Sequence, residues 1–366
     1  MRITAIDHIT PESRLAKPIY AGDGRILLQI GARLTGRIVE RLREKGITYV
    51  YVQQEGTEDL DDEGTLDPKV RAASMQVIES QFKKAAEQMA LQKTVDMDAM
   101  SSSFSAIVTS VLEEVMKQKE AVSLLTDVVA YDSYIFHHSL NVTIYALSLG
   151  KTLGLNEEEM HKLGLGAVLH DIGKMSVPEE VLHKPGRLTD EEFALIQDHT
   201  TIGFEMLRKS HTLSLLTAHC AYQHHERLDG SGYPRGIGKE DIHLFARIIA
   251  IADVFDAVTS HRVYRPAMLP HEGLELLYSG AGTLFDQEMV DAFARTIAIY
   301  PVGLEVRLNG GRTGIVSALN RSLPARPVVR VFQEHGESVS PYEVDLAEEL
   351  SSMIESCDTV MAQRTM

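Results

Sequence analysis

Hydrophobic positions follow a helical period through the middle of the chain and a strand-like pattern near both ends. Near the N-terminus, apolar runs over residues 15–20, 26–30 and 49–52 have the length of strands, and the Gly-Asp-Gly turn at 22–24 separates the first two. Thr35 precedes a short amphipathic helix. We expect a small α+β module over residues 1–55, followed by an acidic, solvated linker over residues 56–68.

The helical period covers residues 69–300. Residues 69–130 are predicted to form two long helices, divided by a polar break near residues 96–103, as a helical stalk or packing layer. Residues 131–300 are predicted to form an all-helical domain. Its helices are expected over 133–153, 160–169, from a capping box at Thr189 through Gly203, and over 213–222, 245–260, 272–280 and 287–299.

Strand-like runs return over residues 302–308, 313–317 and 327–332, separated by Asn309-Gly310-Gly311 and a proline-containing loop. They predict a small β-rich module over residues 301–346. The tail over residues 347–366 is expected to form a short helix followed by irregular residues. The predicted fold class is therefore mainly α, with a small α+β module before the helical domain and a small β-rich module after it.

Composition and charge narrow the range of functions. The formal net charge of −16 argues against binding of nucleic-acid polymers over a broad surface. Cys220 and Cys357 lie far apart and show no metal or disulfide spacing, which fits a reducing compartment. No N-terminal signal is visible, and the apolar run over 248–252 ends at Asp253, far short of a membrane span. We therefore expect a cytoplasmic protein.

Residues that bind metals recur on the predicted core faces and helix ends of the helical domain. His170 and Asp171 place a nitrogen and an oxygen ligand side by side, a combination that suits iron, manganese or zinc. Asp253 lies among apolar residues and would be costly to bury without a metal or a cation. The candidates are too many for one metal and suit two that share the Asp171 carboxylate: His138, His170, Asp171, His199, His224, His225 and Asp253, with Asp256 behind them.

Residues 131–300 resemble the HD-GYP family, bacterial phosphodiesterases that degrade cyclic di-GMP. The resemblance rests on His170-Asp171-Ile172-Gly173-Lys174, on His224-His225-Glu226 and on the Gly-Tyr-Pro loop over residues 229–234, with further matches at 184–189 and 252–257. It implies an HD-type catalytic domain with one metal on His138, His170, Asp171 and Asp253, and a second on Asp171, His199, His224 and His225. Iron is the first candidate, with manganese or another transition metal as the alternative. Some members hold a third metal through a glutamate at the position of Tyr134, so we expect two metals here.

The resemblance also implies a reaction and a set of residues that handle substrate. A water bridging the two metals would become a hydroxide and attack a phosphodiester, giving pGpG, with further hydrolysis to GMP left open. Lys174 would add positive charge at the reacting phosphate, and Arg262 and Arg265 would grip the second phosphate. Tyr233 would stack on a guanine or shape its loop, and Glu226 would support the ligands from behind.

Other functions remain open at this point. The substrate could be another cyclic dinucleotide such as cyclic GMP-AMP. The domain could also be a catalytically weak receptor that binds the nucleotide and signals, although all seven ligand positions are retained. A di-iron oxygenase is a third alternative, against which the arginines and the Gly-Tyr-Pro loop argue. Partners left open are a second copy of the chain and GGDEF-type or other signalling proteins at the Gly-Tyr-Pro loop.

Overall fold

The computed structural model describes residues 1–357 except 22–24, 46, 48, 61–63, 92, 119–120, 123–133, 183, 185, 261–266 and 321–322. The turn predicted at 22–24, the end of the helix predicted to reach 129, and Arg262 and Arg265 lie outside these residues, as does the side chain of Tyr134. The described helices are α1 Gly36–Glu44, α2 Pro68–Ala90, α3 Met97–Lys117, α4 Tyr134–Thr152, α5 Glu157–Leu169, α6 Glu179–Leu182, α7 Asp190–Gln197, α8 His199–Leu207, α9 Leu215–Gln223, α10 Leu244–Thr259, α11 Pro270–Ser279 and α12 Gln287–Ala294. The described strands are β1 Arg2–Ala5, β2 Ile19–Tyr20, β3 Ile26–Leu28, β4 Tyr49–Val52, β5 Glu305–Leu308, β6 Arg312–Ala318, β7 Val328–Glu334, β8 Glu337–Asp345 and β9 Ile354–Cys357. The predicted fold class, mainly α with small β-containing modules at both ends, is confirmed.

The N-terminal module and the C-terminal sheet pack on each other. Strands β1 and β4 pair antiparallel, β2 and β3 form a second pair, and α1 lies between β3 and β4 in the chain. The backbone N–H of Ile3 in β1 donates to the carbonyl of Gly303 at 2.8 Å. Ile3 and Tyr51 are buried in one apolar cluster with Leu304 and Val306. Because the two ends of the chain share this core, neither module is an independent appendage.

The C-terminal sheet is longer than the sequence pattern indicates. Its five strands pair antiparallel in the order β8-β7-β6-β5-β9. The short helix expected in the tail is wrong: Ile354–Cys357 forms the edge strand β9, with Cys357 opposite Val306 of β5. Strand β8 also has no counterpart among the predicted strands, because its mostly exposed, polar side chains give no apolar run.

The acidic segment after the N-terminal module is partly fixed in place. Arg330 of β7 donates to the carbonyl of Gly56 at 2.9 Å and to both carboxylate oxygens of Asp59 at 2.6 and 2.8 Å. This pairing lowers the pKa of Asp59 to about 2, chiefly through the hydrogen bond from Arg330. The start of the predicted solvated linker therefore lies against the C-terminal sheet.

The helical middle is one packed unit. Helix α4 packs against α5 and α10, α5 against α9, and α9 against α8. Helices α2 and α3 pack on α4 and α5 as a layer, and Phe82 of α2 meets Phe104 and Phe136 edge to face at centroid distances of 5.8 and 5.9 Å. The described residues of α2 and α3 thus lie against the other helices. None of the helices in the described ranges combines the length and hydropathy needed to cross a membrane.

Helix starts near the candidate ligands follow the expected capping chemistry, but one predicted helix is divided. The Thr189 capping box is present, with Thr189 Oγ1 accepting from the N–H of Glu192 and the Glu192 carboxylate accepting from the N–H of Thr189. Helix α7 then ends at Gln197, and α8 begins at His199. The faces of α7 and α8 do not continue into each other, so Phe193 on α7 is 46% exposed although His199 at the start of α8 is buried.

Candidate metal centre

All seven predicted ligands meet at one place in the helical domain. His138 lies on α4, His170 and Asp171 follow α5, His199 begins α8, His224 and His225 follow α9, and Asp253 lies on α10. Six of these side chains are buried and His225 is partly exposed. Most of them lie at or just beyond the end of a helix, where a side chain can point toward the neighbouring helices. The convergence expected from the sequence is what the structure shows.

Asp171 lies at the middle of this group, and its two oxygens face different histidines. Oδ1 is 3.3 Å from His199 Nε2 and 3.7 Å from His224 Nε2. Oδ2 is 3.3 Å from His170 Nε2 and 3.6 Å from His138 Nε2. One carboxylate therefore contacts two separate sets of nitrogen ligands.

Two groups of side chains could each hold a cation, and both contain Asp171. One group adds His199, His224 and His225, and the other adds His138 and His170, with ligand atoms within 4.8 Å of one another in each. Asp253 lies between the two groups: Oδ1 is 3.0 Å from His138 Nε2, and Oδ2 is 3.8 Å from His225 Nδ1. The structure thus brings Asp253 to the centre without assigning it to one group.

In four of the histidines, hydrogen bonds at Nδ1 leave Nε2, the nitrogen nearer to Asp171, available to bind a metal. The Nδ1 atoms of His170, His199 and His224 lie against the backbone carbonyls of Ala167, Ile196 and Ala221, and His138 Nδ1 lies 2.7 Å from Asp256 Oδ2. An Nδ1 that donates to oxygen leaves Nε2 with a lone pair, which is the arrangement found behind most metal-bound histidines. His170 Nε2 is buried and makes no well-aligned hydrogen bond within the described part of the chain. Such a donor set fits a divalent transition metal.

Electrostatics favour the ligand forms of most of these groups. Burial lowers the pKa of His224 to about 4 and holds that of His225 well below its ordinary value, so both rings are neutral at pH 7. Burial alone would raise the pKa of Asp171, but its interactions with the side chains of His170 and Lys174 hold it well below its ordinary value. His138 differs: despite burial, hydrogen bonds with Asp253 and Asp256 raise its pKa to about 9. A cation at Nε2 would displace that proton, as metal binding to histidine does in general.

Lys174 is directed into the centre by a short turn. It lies in the 3₁₀ turn Ile172–Ser176, and its Nζ is 2.6 Å from Asp171 Oδ2. The turn passes close to α8 at Gly173, where an added Cβ would lie 2.0 Å from the backbone oxygen of His199. Only glycine allows this approach, which places His199 and Lys174 around the same carboxylate.

The Gly-Tyr-Pro loop forms one wall of the centre. The ring of Tyr233 stacks on His225, with 4.7 Å between centroids and an interplanar angle of 27°. The buried carboxylate of Glu226 accepts hydrogen bonds from the N–H groups of Arg235 and Ile237 at 2.9 and 3.1 Å. Glu226, expected behind the ligands, therefore contacts the loop backbone and sets the loop's shape.

Sequence reasoning missed three residues near the centre. Asn141 and Ser260 each donate to Asp256 Oδ1, at 2.9 and 3.0 Å, and Phe193 meets the ring of Tyr233 edge to face at 6.2 Å. Asn141 follows His138 by three positions on one helix, a spacing that signals a shared face. No local signal identifies Phe193, because its position depends on where α7 ends.

A helical domain in which buried histidines and aspartates from five helices surround one shared carboxylate defines a metal-binding protein of the HD type. The chain belongs to the HD domain family: a family model described as HD domain matches residues 101–289, which is more than half of the chain. A second model, described as KOW domain associated with HD domain, matches residues 305–362. The family membership expected from the motifs is confirmed.

Three relatives show what the chain is similar to. It is 32% identical to a cyclic di-GMP phosphodiesterase of Pseudomonas aeruginosa, over 80% of this chain and 75% of that protein. It is 46% identical to a cyclic di-GMP phosphodiesterase response regulator of Xanthomonas campestris, over 40% of this chain and 39% of the relative. It is 41% identical to a 3′3′-cGAMP-specific phosphodiesterase of Vibrio cholerae, over 52% of this chain and 43% of the relative. The match spans three quarters of the first relative and less than half of the other two.

Proposed function

We propose that the protein is a metal-dependent phosphodiesterase that hydrolyses cyclic di-GMP to pGpG. The observation that carries the proposal is the Asp171 carboxylate, whose two oxygens face two separate sets of histidines. The Pseudomonas aeruginosa relative, matched over most of both chains, supports the choice of substrate. In the reaction, the oxygen of a water forms a bond to phosphorus, one P–O3′ bond breaks, and the 3′ oxygen takes up a proton.

The ligand residues suit two divalent cations, with iron first and manganese as the alternative. His138 and His170 would hold one cation, His199, His224 and His225 the other, and Asp171 both, with Asp253 beside them. Bound cations of this kind lower the pKa of water and attract the oxygens of a phosphate. Lys174 Nζ, 2.6 Å from Asp171, adds a fixed positive charge where the phosphate gains negative charge.

We assign substrate binding to Lys174, Tyr233 and the two arginines Arg262 and Arg265. The support for the arginines is chemical: a guanidinium forms paired hydrogen bonds with a phosphate and stays charged at any physiological pH. The support for Tyr233 is its place at the wall of the centre, stacked on the ligand His225.

A substrate panel tests the proposal. Full-length protein loaded with Fe²⁺ or Mn²⁺ is incubated separately with cyclic di-GMP, 3′3′-cGAMP and cyclic di-AMP, and products are separated by chromatography. We expect pGpG from cyclic di-GMP and slower turnover of the other two. Faster turnover of 3′3′-cGAMP would favour the second candidate, for which the Vibrio cholerae relative is the supporting observation. Binding of cyclic di-GMP without product would contradict the enzyme and favour a receptor.

Phe193 is expected to contribute a stacking surface for a purine base. Its ring is 46% exposed and meets Tyr233 at the edge of the centre. Stacking of a base on an aromatic side chain contributes about 1–3 kcal/mol, so we expect Phe193→Ala to raise KM for cyclic di-GMP about tenfold with little change in kcat. Steady-state kinetics on the metal-loaded protein measure both constants.

Leu195 provides a matched control for Phe193. It lies on the same helix and is also 46% exposed, so Leu195→Ala removes a comparable apolar surface away from Tyr233. Leu195→Ala should leave KM for cyclic di-GMP unchanged. Phe193→Trp, which keeps an aromatic ring, should have a KM close to that of the wild type. Equal effects of the two alanine substitutions would show that Phe193 does not contact the base.

A further inference from the structure

Helix α2 brings a buried positive charge to the region behind the metal centre. Arg71 lies in the first turn of α2 and is 8% exposed. Helix α2 packs against α4, which carries His138, and against the 3₁₀ turn that carries Lys174. A buried guanidinium is costly unless its N–H groups are used. One of its hydrogen bonds leads toward the metal centre.

Three hydrogen bonds connect Arg71 with a metal ligand. Arg71 Nη1 donates to Asn141 Oδ1 at 3.4 Å, and Asn141 Nδ2 donates to Asp256 Oδ1 at 2.9 Å. The other oxygen of Asp256 accepts from His138 Nδ1 at 2.7 Å. The connected groups come from α2, α4 and α10, and Arg71 and Asn141 are 70 positions apart in the sequence.

The direction of each bond follows from the chemistry of Arg71. A guanidinium can only donate, so Asn141 must present its oxygen to Arg71 and its amide hydrogens to Asp256. The carboxylate oxygens of Asp256 accept, so His138 must carry a proton on Nδ1. His138 Nε2 then faces Asp171 and Asp253, at 3.6 and 3.0 Å, in the orientation a metal ligand needs. Without Arg71, the amide of Asn141 could turn over and present its oxygen to Asp256.

We propose that Arg71 is a positioning residue for the metal centre, acting through Asn141 and Asp256 to fix the ring of His138. The helical layer of α2 is then part of the machinery that sets metal affinity. This inference rests on the proposed metal centre but not on the proposed substrate. Outer partners of metal-bound histidines change metal affinity by about 10- to 100-fold. Arg71 is three hydrogen bonds away from the ring of His138, so we expect an effect near the lower end of this range.

The direct test is metal affinity of the full-length chain. Protein stripped with a chelator is titrated with Mn²⁺ in competition with a coloured chelator, for the wild type, Arg71→Met and Arg71→Lys. We expect Arg71→Met to weaken Mn²⁺ binding about tenfold, and Arg71→Lys, which keeps the charge, to weaken it less. Lys84→Met, on the exposed face of the same helix, is the control and should bind like the wild type.

A double-substitution experiment separates positioning from a general loss of stability. In an Asp256→Ala background the connection to His138 is already broken, because alanine offers no acceptor to Nδ1, so Arg71→Met should add little. Equal loss in both backgrounds would overturn the proposal, as would wild-type Mn²⁺ affinity in Arg71→Met. Asn141→Leu breaks the connection between Arg71 and His138 while Arg71 itself is unchanged. If Arg71→Met does not fold, wild-type Mn²⁺ affinity in Asn141→Leu would overturn the proposal instead. Absence of Mn²⁺ binding in the wild type would overturn the metal centre as well, whereas tight binding without hydrolysis of cyclic di-GMP would overturn only the proposed function.

Discussion

Replacement of Asp171 by alanine is expected to abolish both metal retention and hydrolysis. Its carboxylate contacts His170 and His138 through one oxygen and His199 and His224 through the other, so both candidate cations lose a ligand at once. The affinity for metal should fall by more than about a hundredfold. That is the upper end for residues that only hydrogen-bond to a ligand, whereas Asp171 would itself be a ligand. Metal content by elemental analysis and pGpG formation by chromatography measure the two effects.

Thermal unfolding gives a readout that does not depend on substrate. A ligand that binds only the folded state stabilises it, so a chelator should lower the Tm of the metal-loaded wild type and leave that of Asp171→Ala nearly unchanged. Asp190→Ala, at an exposed position in the first turn of α7, should behave as the wild type in every measurement. A metal content in Asp171→Ala equal to that of the wild type would contradict the shared-ligand role.

The convergence of the candidate ligands could be predicted because several of them have a local signal. His138 and Asp253 sit on apolar helix faces, and His170 and His224 come at the ends of apolar helical runs. A polar residue that can bind a metal is unexpected in such places, and several of them together point to one site. Local sequence was therefore sufficient to name the residues that converge, although only the structure shows that the two oxygens of Asp171 face different histidines.

The features that escaped prediction depend on contacts between distant parts of the chain. Strand β9 exists because β5 offers an edge for pairing, and its four residues carry too weak a pattern to be recognised alone. Asp59 is held by Arg330 across 271 residues, which composition cannot reveal. Arg71 reaches the centre only because α2 packs on α4. In each case the partner, and not the residue's own neighbourhood in sequence, determines its position.

Replacement of Gly173 by alanine is expected to have the largest effect on folding. An added Cβ would lie 2.0 Å from the oxygen and 2.8 Å from the carbonyl carbon of His199, and 2.8 Å from the backbone nitrogen of Gly203. These are backbone atoms of α8 and cannot move aside as a flexible side chain can, so the turn and the helix must separate. Overpacking of this kind costs about 3 kcal/mol or more, at the upper end of measured cases. Urea unfolding of the full-length protein measures the loss, and metal titration shows whether His199 has left Asp171.

Gly203 supplies a control from the other side of the same contact. A Cβ there would lie 3.4 Å from the side chain of Ala221 and 3.4 Å from the backbone nitrogen of Gly173, which is close to ordinary packing. Gly203→Ala should therefore cost far less stability than Gly173→Ala and leave most of the metal bound. Similar losses in the two variants would mean that α8 and the 3₁₀ turn can separate at little cost. In that case the close contact at Gly173 does not hold His199 beside Asp171. The presence of glycine at position 173 would then need another explanation.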